Sequence, residues 1–329
     1  MTNPNKTKVL WLWQSNLHPW SKTEEKEWSP YLDEEAQTLE TAFREGKPMV
    51  ELEKYIIDLH VWRQINKQNP SKSRSIVRNV VDQNKQYLRR QRFCVTQIPS
   101  FIEYRSSGQW PFSYEWWQNN VCSYTVQVEK AAEGILAEGE KLGQTKQATI
   151  IVKALTDVKD KGWLEIATCC IHQYTRETFL YKLINKTLRE MDWSKVNTLG
   201  PFCHLLSTAD SHSPLVNSYR YKGLVFRGMQ LTKCQIGSYK EAIGQGLKTW
   251  LNFSSTSRNR AAAERFGNTL LIIDLQSDYH GLYIASISRY PQEDEVLLRA
   301  SQKFSVHDVK YDKSSRKHHI YIVIDDVCT

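Results

Sequence analysis

The order of the apolar patterns along the chain constrains its fold more than any other feature. Apolar residues recur with helical spacing from Trp116 to Gly143 and again from about Trp163 to Met191. After residue 220 they come in short runs that are bounded by polar or turn-forming residues. Helices followed by strands predict an α+β fold, with a helical region and then a mostly antiparallel β region. The predicted strands are residues 223–227, 248–253, 269–275, 281–287, 295–298 and 320–326.

The first 82 residues carry a pattern that predicts a small α+β module of their own. Trp11 and Trp13 lie in a strand-like run, and residues 33–43 have one apolar face and begin with an aspartate that can cap a helix. Residues 54–66 alternate as strands do, and residues 73–80 predict a final basic strand.

The length of 329 residues leaves room for two domains with cores of their own. We expect the module to occupy residues 1–82 and the second domain to occupy residues 116–329. Residues 83–115 are basic and aromatic, and three turn-forming residues interrupt any regular pattern there, so they predict a connector. The three are Pro99, Gly108 and Pro111.

An arginine and a serine triplet stand at the ends of predicted strands, where polar groups can meet a ligand. Arg227 ends the run Gly-Leu-Val-Phe-Arg, and its guanidinium offers a fixed fork of donors that suits phosphate oxygens. Gly228 follows it and lets a ligand approach the backbone. Ser255 opens the triplet Ser-Thr-Ser, whose last member, Ser257, is placed to cap a short helix that Gly267 ends. A surface arginine beside a turn and a serine that only caps a helix are the alternative interpretations.

Two carboxylates, Glu293 and Glu295, stand where the run Val-Leu-Leu begins. Residues i and i+2 of an extended chain point to the same side, so both side chains can face one cleft. A carboxylate beside a developing oxocarbenium ion stabilises its positive charge, as it does in glycosidases. An acidic turn exposed to water is the alternative interpretation of the same residues.

Taken in this order, Arg227, Ser255 and Glu295 resemble the arginine–serine–glutamate signature of the mono-ADP-ribosyltransferases. These enzymes move ADP-ribose from NAD to a protein side chain, and their core is two packed sheets with the NAD cleft between them. The resemblance covers about residues 160–329 and is strongest after residue 220. It implies that NAD is a substrate of this chain and that the partner is a protein with an acceptor arginine.

The resemblance also implies a role for each residue of the site. Glu295 corresponds to the glutamate that binds the ribose hydroxyl and stabilises the cation, and Ser255 holds that glutamate and the nicotinamide ribose. Glu293 corresponds to the position where glutamate accompanies arginine as the acceptor, since a carboxylate can orient and deprotonate a guanidinium. The backbone at Gly228 corresponds to the grip on the nicotinamide carboxamide. The aromatic candidates for the nicotinamide ring and the protein substrate are, in that order, Phe266 and Tyr290.

The N-terminal module resembles the WWE domain, which is named for two tryptophans and a glutamate, over about residues 5–82. Many WWE domains bind the iso-ADP-ribose unit of poly(ADP-ribose), a ligand that needs an aromatic face for adenine, donors for ribose and cations for the phosphates. Other WWE domains serve only as interaction modules, and both roles stay open here. The positions that correspond to ligand contacts are Trp13, Tyr55, Gln64 and Arg74.

Charge and cysteine content limit the partners and the compartment. The net charge is +8, and residues 67–92 hold eight lysines and arginines against one aspartate, which suits poly(ADP-ribose), RNA or DNA, or a solvated linker. Seven cysteines without Cys-x-x-Cys spacing favour free thiols in a reducing compartment, and nine histidines form no His-Glu-x-x-His motif. The sequence also has no apolar run of about 20 residues. We therefore expect an intracellular protein of the cytoplasm or nucleus, with no metal and no membrane segment.

Two functions from different classes follow from the sequence. The first is an NAD-dependent protein-arginine ADP-ribosyltransferase whose WWE module binds poly(ADP-ribose) or iso-ADP-ribose. The second is a catalytically inactive adaptor that binds poly(ADP-ribose). The presence of all signature residues favours the enzyme. A protein that binds nucleic acid through its charge alone is a third interpretation, and only the basic run supports it.

Overall fold

The computed structural model divides the chain into two compact units, residues 1–86 and 87–329. Both units contain helices and strands, so the predicted α+β class is confirmed. Most of the predicted connector, with its turn-forming residues at 99, 108 and 111, lies outside the residues that the structure describes. The described residues are 7–16, 18–20, 26–82, 89, 92, 101–103, 112–208 and 216–325.

The described residues of the first unit form a six-stranded antiparallel sheet with one helix, α1 (Asp33–Arg44). The strands stand in the order β2-β1-β6-β5-β4-β3, so the first and last long strands of the unit are neighbours inside the sheet. The strands that alternation predicted over residues 54–66 and 73–80 are present. The strand bounds are β1 (Thr7–Gln14), β2 (Trp28–Pro30), β3 (Met49–Glu51), β4 (Tyr55–Asp58), β5 (Arg63–Asn66) and β6 (Ser73–Asp82).

The apolar face of α1 packs on one face of this sheet, as its spacing predicted. Trp11 stacks on Trp62 with 5.7 Å between the ring centroids. Helix α1 begins at Asp33 and Leu32 is its N-cap, so the prediction that Asp33 caps the helix is wrong. The aspartate lies in the first turn instead, where the helix dipole favours a negative charge. The buried cluster includes Trp11, Tyr31, Leu39, Ala42, Ile57 and Ile76.

Six helices form the first part of the second unit as the structure describes it. Val128, Ala131 and Ile135 are buried on one face of α3, as their spacing predicted. Val121 falls within the stretch of residues 116–143 whose spacing predicted a helix, but it lies before that helix and is exposed, so the prediction is wrong at this position. The helix bounds are α2 (Phe112–Asn119), α3 (Tyr124–Lys141), α4 (Thr145–Thr156), α5 (Trp163–Thr175), α6 (Phe179–Glu190) and α7 (Val196–Thr208).

A nine-stranded sheet with two short helices follows, in the strand order β12-β13-β10-β8-β11-β15-β14-β9-β7. Only β11 and β15 pair in parallel among the described strands, so the β region is mostly antiparallel, as predicted. The bounds are β7 (Ile102–Glu103), β8 (Gly223–Met229), α8 (Lys233–Glu241), β9 (Lys248–Trp250), β10 (Ser254–Ser257), α9 (Arg260–Ala263), β11 (Thr269–Leu275), β12 (Gly281–Tyr283), β13 (Glu295–Leu298), β14 (Gln302–Asp312) and β15 (Lys317–Ile324).

This large sheet divides into two parts at β8. Strands β8 and β11 pair along seven residues, whereas β8 and β10 are in register only at Phe226 and Ser257. Strands β10, β13 and β12 therefore form one small sheet, and the remaining strands form the other. The edge where the two sheets part carries the serine triplet and the first residue of β13, Glu295.

Five of the seven cysteines lie in the described part of the chain, all as free thiols: Cys122, Cys169, Cys170, Cys203 and Cys234. Its histidines, cysteines and carboxylates form no group of three that could hold a metal ion. No helix within the same ranges combines the length and the apolar character that crossing a membrane requires.

Candidate active site

The two glutamates of the predicted site lie where a short turn leads into β13. Glu293 ends a 3₁₀ helix (Pro291–Glu293), Asp294 has a left-handed φ of 49°, and Glu295 begins the strand. Both glutamate side chains are 0% exposed. They are turned inward by this tight turn rather than by the extended geometry that the i and i+2 spacing predicted.

Strand β10 holds the serine triplet beside these glutamates. Ser257 lies opposite Glu295 in the antiparallel register, and Ser255 lies opposite Leu297 on the same face. The Ser257 hydroxyl donates a hydrogen bond of 2.9 Å to the carbonyl oxygen of Glu293. This bond fixes the turn that carries both carboxylates.

The prediction that Ser257 caps the following helix is wrong. Asn259 is the N-cap of α9, and its side-chain oxygen accepts a hydrogen bond of 2.9 Å from the Ala262 N–H. The helix is shorter than predicted, since it ends at Ala263 and Gly267 lies four residues beyond that end. The hydroxyl of Ser257 accepts a hydrogen bond of 3.1 Å from the Asn259 N–H and donates its own proton to the turn of the glutamates.

Arg227 supports the serine strand from the other side of the sheet. It is buried on the strand face of Val225 and Met229, whereas the register places Glu295 on the opposite face. Its Nη1 donates a hydrogen bond of 3.1 Å to the carbonyl oxygen of Ser255. This hydrogen bond from Arg227 holds β10, the strand that carries Ser255, in position. A contact between Arg227 and phosphate stays a prediction.

Gly228 and Phe266 join β8 to the segment that follows α9. A Cβ atom on Gly228 would lie 2.2 Å from the carbonyl oxygen of Ala263, so only glycine fits this packing. Phe266 is half-buried against the cluster of Phe226 and Ile272. Protein packing alone accounts for both residues here, and their contacts with nicotinamide stay predictions.

The guanidinium of Arg89 occupies the space beside Glu293. Its Nε donates to Oε1 at 2.7 Å and its Nη2 donates to Oε2 at 2.8 Å, which is the bidentate geometry of strong arginine–carboxylate pairs. The backbone N–H of Arg89 adds a bond of 3.1 Å to Oε1, and its Nη1 donates to Glu177 at 3.3 Å. Its Cζ lies 3.7 Å from the ring centroid of Tyr290, within cation–π range.

Arg92 holds Glu295 in the same way. Its Nε lies 3.2 and 3.3 Å from the two carboxylate oxygens, and its Nη2 donates to Oε1 at 2.9 Å. Its Nη1 donates to the carbonyl oxygen of Tyr174 at 3.0 Å. Its Cζ lies 4.6 Å from the ring centroid of Tyr174 and 5.2 Å from that of Tyr181. One guanidinium thus engages both oxygens of the candidate catalytic carboxylate.

The charges of this site balance, with three carboxylates and two arginines buried and one lysine partly exposed. Glu177 accepts hydrogen bonds from the Tyr181 hydroxyl at 2.9 and 3.1 Å and pairs with Lys182 at 2.6 Å. Burial lowers the pKa of the Arg89 guanidinium, but the Glu293 carboxylate outweighs that effect and holds the pKa well above its ordinary value. Burial raises the pKa of the Glu293 carboxyl against the opposing pull of Arg89. The charged groups are Glu177, Glu293 and Glu295 with Arg89, Arg92 and Lys182.

Sequence reasoning missed Arg89, Arg92 and Glu177 as residues of this site. The two arginines belong to the basic run of residues 67–92, which predicted a surface for polyanions. They are buried against carboxylates instead, and Arg78 of the same run pairs with Glu40. No local pattern distinguishes these arginines from exposed ones, because their partners lie 203 and 204 residues away.

The four predicted ligand contacts of the first unit lie on one face of its sheet. Gln64 and Arg74 are direct neighbours in the register of β5 and β6, and Trp13 lies opposite Ile76, two residues beyond Arg74. The alternation of β4 places Tyr55 on this face as well, because its second neighbour is the partner of Gln64. The structure therefore brings these four residues to the same side of the module.

Two of these side chains already have protein partners. The Gln64 side-chain oxygen accepts a hydrogen bond of 2.7 Å from the Tyr31 hydroxyl. Arg74 donates to the carbonyl oxygens of Gln14 at 3.0 Å and Asn16 at 2.6 Å, and its Cζ lies 5.6 Å from the ring centroid of Trp13. These bonds hold an aromatic face and a cation side by side, which is the pair that an adenosine phosphate needs.

Comparison with known families identifies both units. Residues 168–329 match the family model described as ADP-ribosyltransferase exoenzyme, and residues 9–78 match the WWE domain. The chain carries an ADP-ribosyltransferase domain and a WWE domain. NAD is the substrate of ADP-ribosyltransferases, and the transferase domain contains Arg227, Ser255, Glu293 and Glu295. Arg89 and Arg92 lie outside both matched ranges.

Solved structures similar to this chain include bacterial proteins of low sequence identity. The ADP-ribosyltransferase HopU1 of Pseudomonas syringae is 21% identical with a TM-score of 0.42, and the match covers 53% of this chain and 87% of that one. The type III effector XopAI from Xanthomonas axonopodis is 16% identical with a TM-score of 0.47, covering 65% and 96%. C3stau2 from S. aureus, solved with NAD, is 19% identical with a TM-score of 0.38, covering 48% and 86%. No curated protein sequence matches the chain significantly.

Proposed function

We propose that the second unit transfers ADP-ribose from NAD to arginine side chains of proteins. The observation that carries this proposal is the binding of Arg89 at Glu293. A guanidinium lies bidentate on that carboxylate and over the ring of Tyr290, with its Cζ 3.7 Å from the ring centroid. The same surroundings suit an acceptor arginine from another protein, because they supply a paired charge and an aromatic face.

Glu295 stabilises the transition state of NAD cleavage in this proposal. The bond between the nicotinamide nitrogen and C1 of the ribose breaks, and nicotinamide leaves as a neutral base with the electron pair of that bond. The ribose then carries the positive charge of an oxocarbenium ion. A carboxylate that is completely buried stabilises this charge more than one in water does, because the surrounding dielectric constant is low.

Glu293 acts on the acceptor. A guanidinium nitrogen forms the new bond to C1 of the ribose, and its proton passes to the Glu293 carboxylate. The burial that raises the pKa of this carboxyl makes it a better proton acceptor than an exposed glutamate. Ser257 holds the turn of Glu293, and Arg227 holds the strand of Ser255, so both keep the carboxylates in place.

We also propose that the WWE module binds the iso-ADP-ribose unit of poly(ADP-ribose). The support is the placement of Trp13, Tyr55, Gln64 and Arg74 on one sheet face, with Arg74 beside the Trp13 ring. An enzyme that makes mono-ADP-ribosyl products and also binds the polymer would act in the cytoplasm or nucleus, where the odd number of cysteines leads us to expect it.

A second candidate function is an adaptor that binds poly(ADP-ribose) and has no activity. The pairing of Arg92 with both oxygens of Glu295 favours it, because this carboxylate is then not available to a substrate. The two candidates differ in whether the chain can cleave NAD when that pairing is removed.

Acceptor chemistry tests the transferase proposal most simply. The full chain is incubated with labelled NAD and either agmatine, which ends in a guanidinium, or cadaverine, which ends in an amine. We expect label on agmatine and none on cadaverine. Asp294→Asn is the control for a change of charge in this turn. Asp294 lies between the two glutamates, but its own partners are Arg258 and Tyr283. Equal labelling of both amines would contradict arginine specificity.

A further inference from the structure

We propose that Arg89 and Arg92 are an internal pseudosubstrate that keeps the transferase site closed until NAD and an acceptor displace them. The proposal rests on the arginine transfer proposed above, because that function gives Glu293 and Glu295 their substrates. We call the two residues the arginine plug.

The acceptor side of the site is filled by Arg89. Its guanidinium takes both oxygens of Glu293 and the face of Tyr290, which are the two groups proposed to receive an acceptor arginine. The side chain of Arg89 is 1% exposed. A second guanidinium cannot take the same bidentate position on Glu293 while this one is in place, since Arg89 already binds both carboxylate oxygens.

The NAD side of the site is filled by Arg92. Three hydrogen bonds from one guanidinium engage the two oxygens of Glu295, so Arg92 competes with a ribose hydroxyl for this carboxylate. The rings of Tyr174 and Tyr181 flank the guanidinium and complete its enclosure. NAD can use Glu295 only after Arg92 has left.

The two arginines are also joined through their backbones. The N–H of Arg92 donates a hydrogen bond of 2.9 Å to the carbonyl oxygen of Arg89. Their partners, Glu293 and Glu295, lie two residues apart at the start of β13. Both ends of the two contacts are therefore close along the chain, and in our proposal the contacts form and break together.

The arginine plug lies in the second unit but outside the range that matches the transferase family. The matched transferase family begins at residue 168 and the matched WWE domain ends at residue 78, so positions 89 and 92 belong to neither. The net stabilisation from a buried ion pair is small, because desolvation of the two charges offsets much of their attraction. Substrates that bring their own charges and donors can therefore compete with the plug.

The competing interpretation is that the arginines only neutralise buried carboxylates and so stabilise the fold. The two interpretations differ in kinetics. A plug that competes with substrate raises the apparent KM and leaves kcat unchanged, because only the open fraction of the protein binds. A structural pair gives a different result on removal, with a KM that does not fall and a lower kcat.

The test compares the full wild-type chain with Arg89→Ala/Arg92→Ala in NAD hydrolysis and in transfer to agmatine. In the double variant we expect the KM for NAD to fall by about tenfold to a hundredfold and kcat to stay within about twofold of the wild-type value. A change of this size in KM corresponds to the loss of charge-assisted hydrogen bonds that compete with NAD. Arg89→Lys/Arg92→Lys should give a smaller fall, since lysine keeps the charge but loses the bidentate fork. Lys146→Ala/Lys153→Ala on the exposed side of α4 is the charge-matched control and should change neither constant.

The outcomes separate this proposal from the proposed function. Transfer to agmatine with an unchanged KM in the double variant leaves the transferase standing and overturns the plug. If neither protein turns over NAD, the transferase proposal fails, and calorimetry with NAD decides on the plug: tighter binding to the double variant supports it, and equal binding overturns it. If the double variant does not fold, a peptide of residues 87–93 is added to the lysine variant. Inhibition that NAD relieves then supports the plug, and no inhibition overturns it.

Discussion

Each unit of this protein contains an arginine–glutamate cluster, and the two clusters differ in where their members come from. In the first unit, Glu40 of α1 accepts bonds of 2.8 Å from Nε and Nη2 of Arg78 on β6, and one of 3.0 Å from the Trp11 indole on β1. In the second unit, Glu293 and Glu295 are held by two arginines from far upstream in the chain.

The cluster around Glu40 stabilises the fold of its module, whereas the arginines at Glu293 and Glu295 occupy a candidate binding site. All partners of Glu40 lie in the sheet and helix of its own module, and hydrogen bonds, first of all from Arg78, lower the pKa of its carboxyl to about 2. Burial raises the pKa of the Glu293 carboxyl, and the opposing effect of Arg89 is smaller. The first pairing is a permanent part of the WWE module. The second, in our account, gives way to substrates.

The largest effect should come from Glu295→Gln, made in a chain that also carries Arg92→Ala so that no arginine is buried without its partner. A neutral amide cannot stabilise an oxocarbenium ion, so NAD hydrolysis and transfer should both fall by about a hundredfold to a thousandfold. Release of labelled nicotinamide measures hydrolysis, and the chain with Arg92→Ala alone is the reference. Activity within tenfold of that reference would remove Glu295 from the proposed mechanism.

A smaller and more selective effect is expected for Glu293→Gln in a chain with Arg89→Ala. Transfer to agmatine should fall by about a hundredfold, while NAD hydrolysis stays within about threefold, because this carboxylate acts on the acceptor and not on the leaving nicotinamide. Both rates are measured in one reaction by separating ADP-ribose from its agmatine adduct. An equal fall of both rates would place Glu293 in the NAD site and remove the support for arginine as acceptor.

Much of the fold follows from local sequence, whereas half of the site does not. The strands Thr269–Leu275 and Glu295–Leu298 coincide with the predicted ones because each is an apolar run between turns. Helix α4 and strand β14 were not predicted; the outer half of β14 is charged and exposed, which hides its alternation. The two-residue spacing identified Glu293 and Glu295 as candidates. Their arginine partners lie some 200 residues away in the chain, and only the packing of the fold brings them together.

In the first unit, loss of the Arg74 side chain should weaken ligand binding by roughly one to two orders of magnitude. A fragment of residues 1–86, which is one compact unit with its own buried cluster, should bind iso-ADP-ribose. Arg74→Ala should weaken binding by about 1.5–3 kcal/mol through lost charge-assisted hydrogen bonds to phosphate. Arg63→Ala is the control, since that residue is exposed and on the opposite face of the sheet. No binding by the folded fragment would reduce the module to an interaction scaffold.

The smallest effect concerns the stability of the same fragment. Glu40→Gln should lower its free energy of unfolding by about 1–2 kcal/mol, because the amide has no negative charge and only one acceptor oxygen for Arg78. The pKa of Glu40 falls from its ordinary 4.5 to about 2 on folding, so its contribution is complete above about pH 4.5 and is lost as the pH falls through about 2. Denaturant unfolding at several pH values measures this. Identical pH profiles for the variant and the wild type would show that Glu40 does not stabilise the module.

Exchange of the arginine side-chain Nε protons with water, followed by NMR on the ¹⁵N-arginine-labelled full chain, tests the central claim most directly. Arg78, Arg89 and Arg92 all donate through Nε to a glutamate, so all three should exchange slowly in the free protein. We predict that saturating NAD and agmatine make the Arg89 and Arg92 protons exchange rapidly and leave Arg78 unchanged. Slow exchange at Arg89 and Arg92 in the presence of both substrates would contradict the account, because the pair would then be a fixed part of the fold.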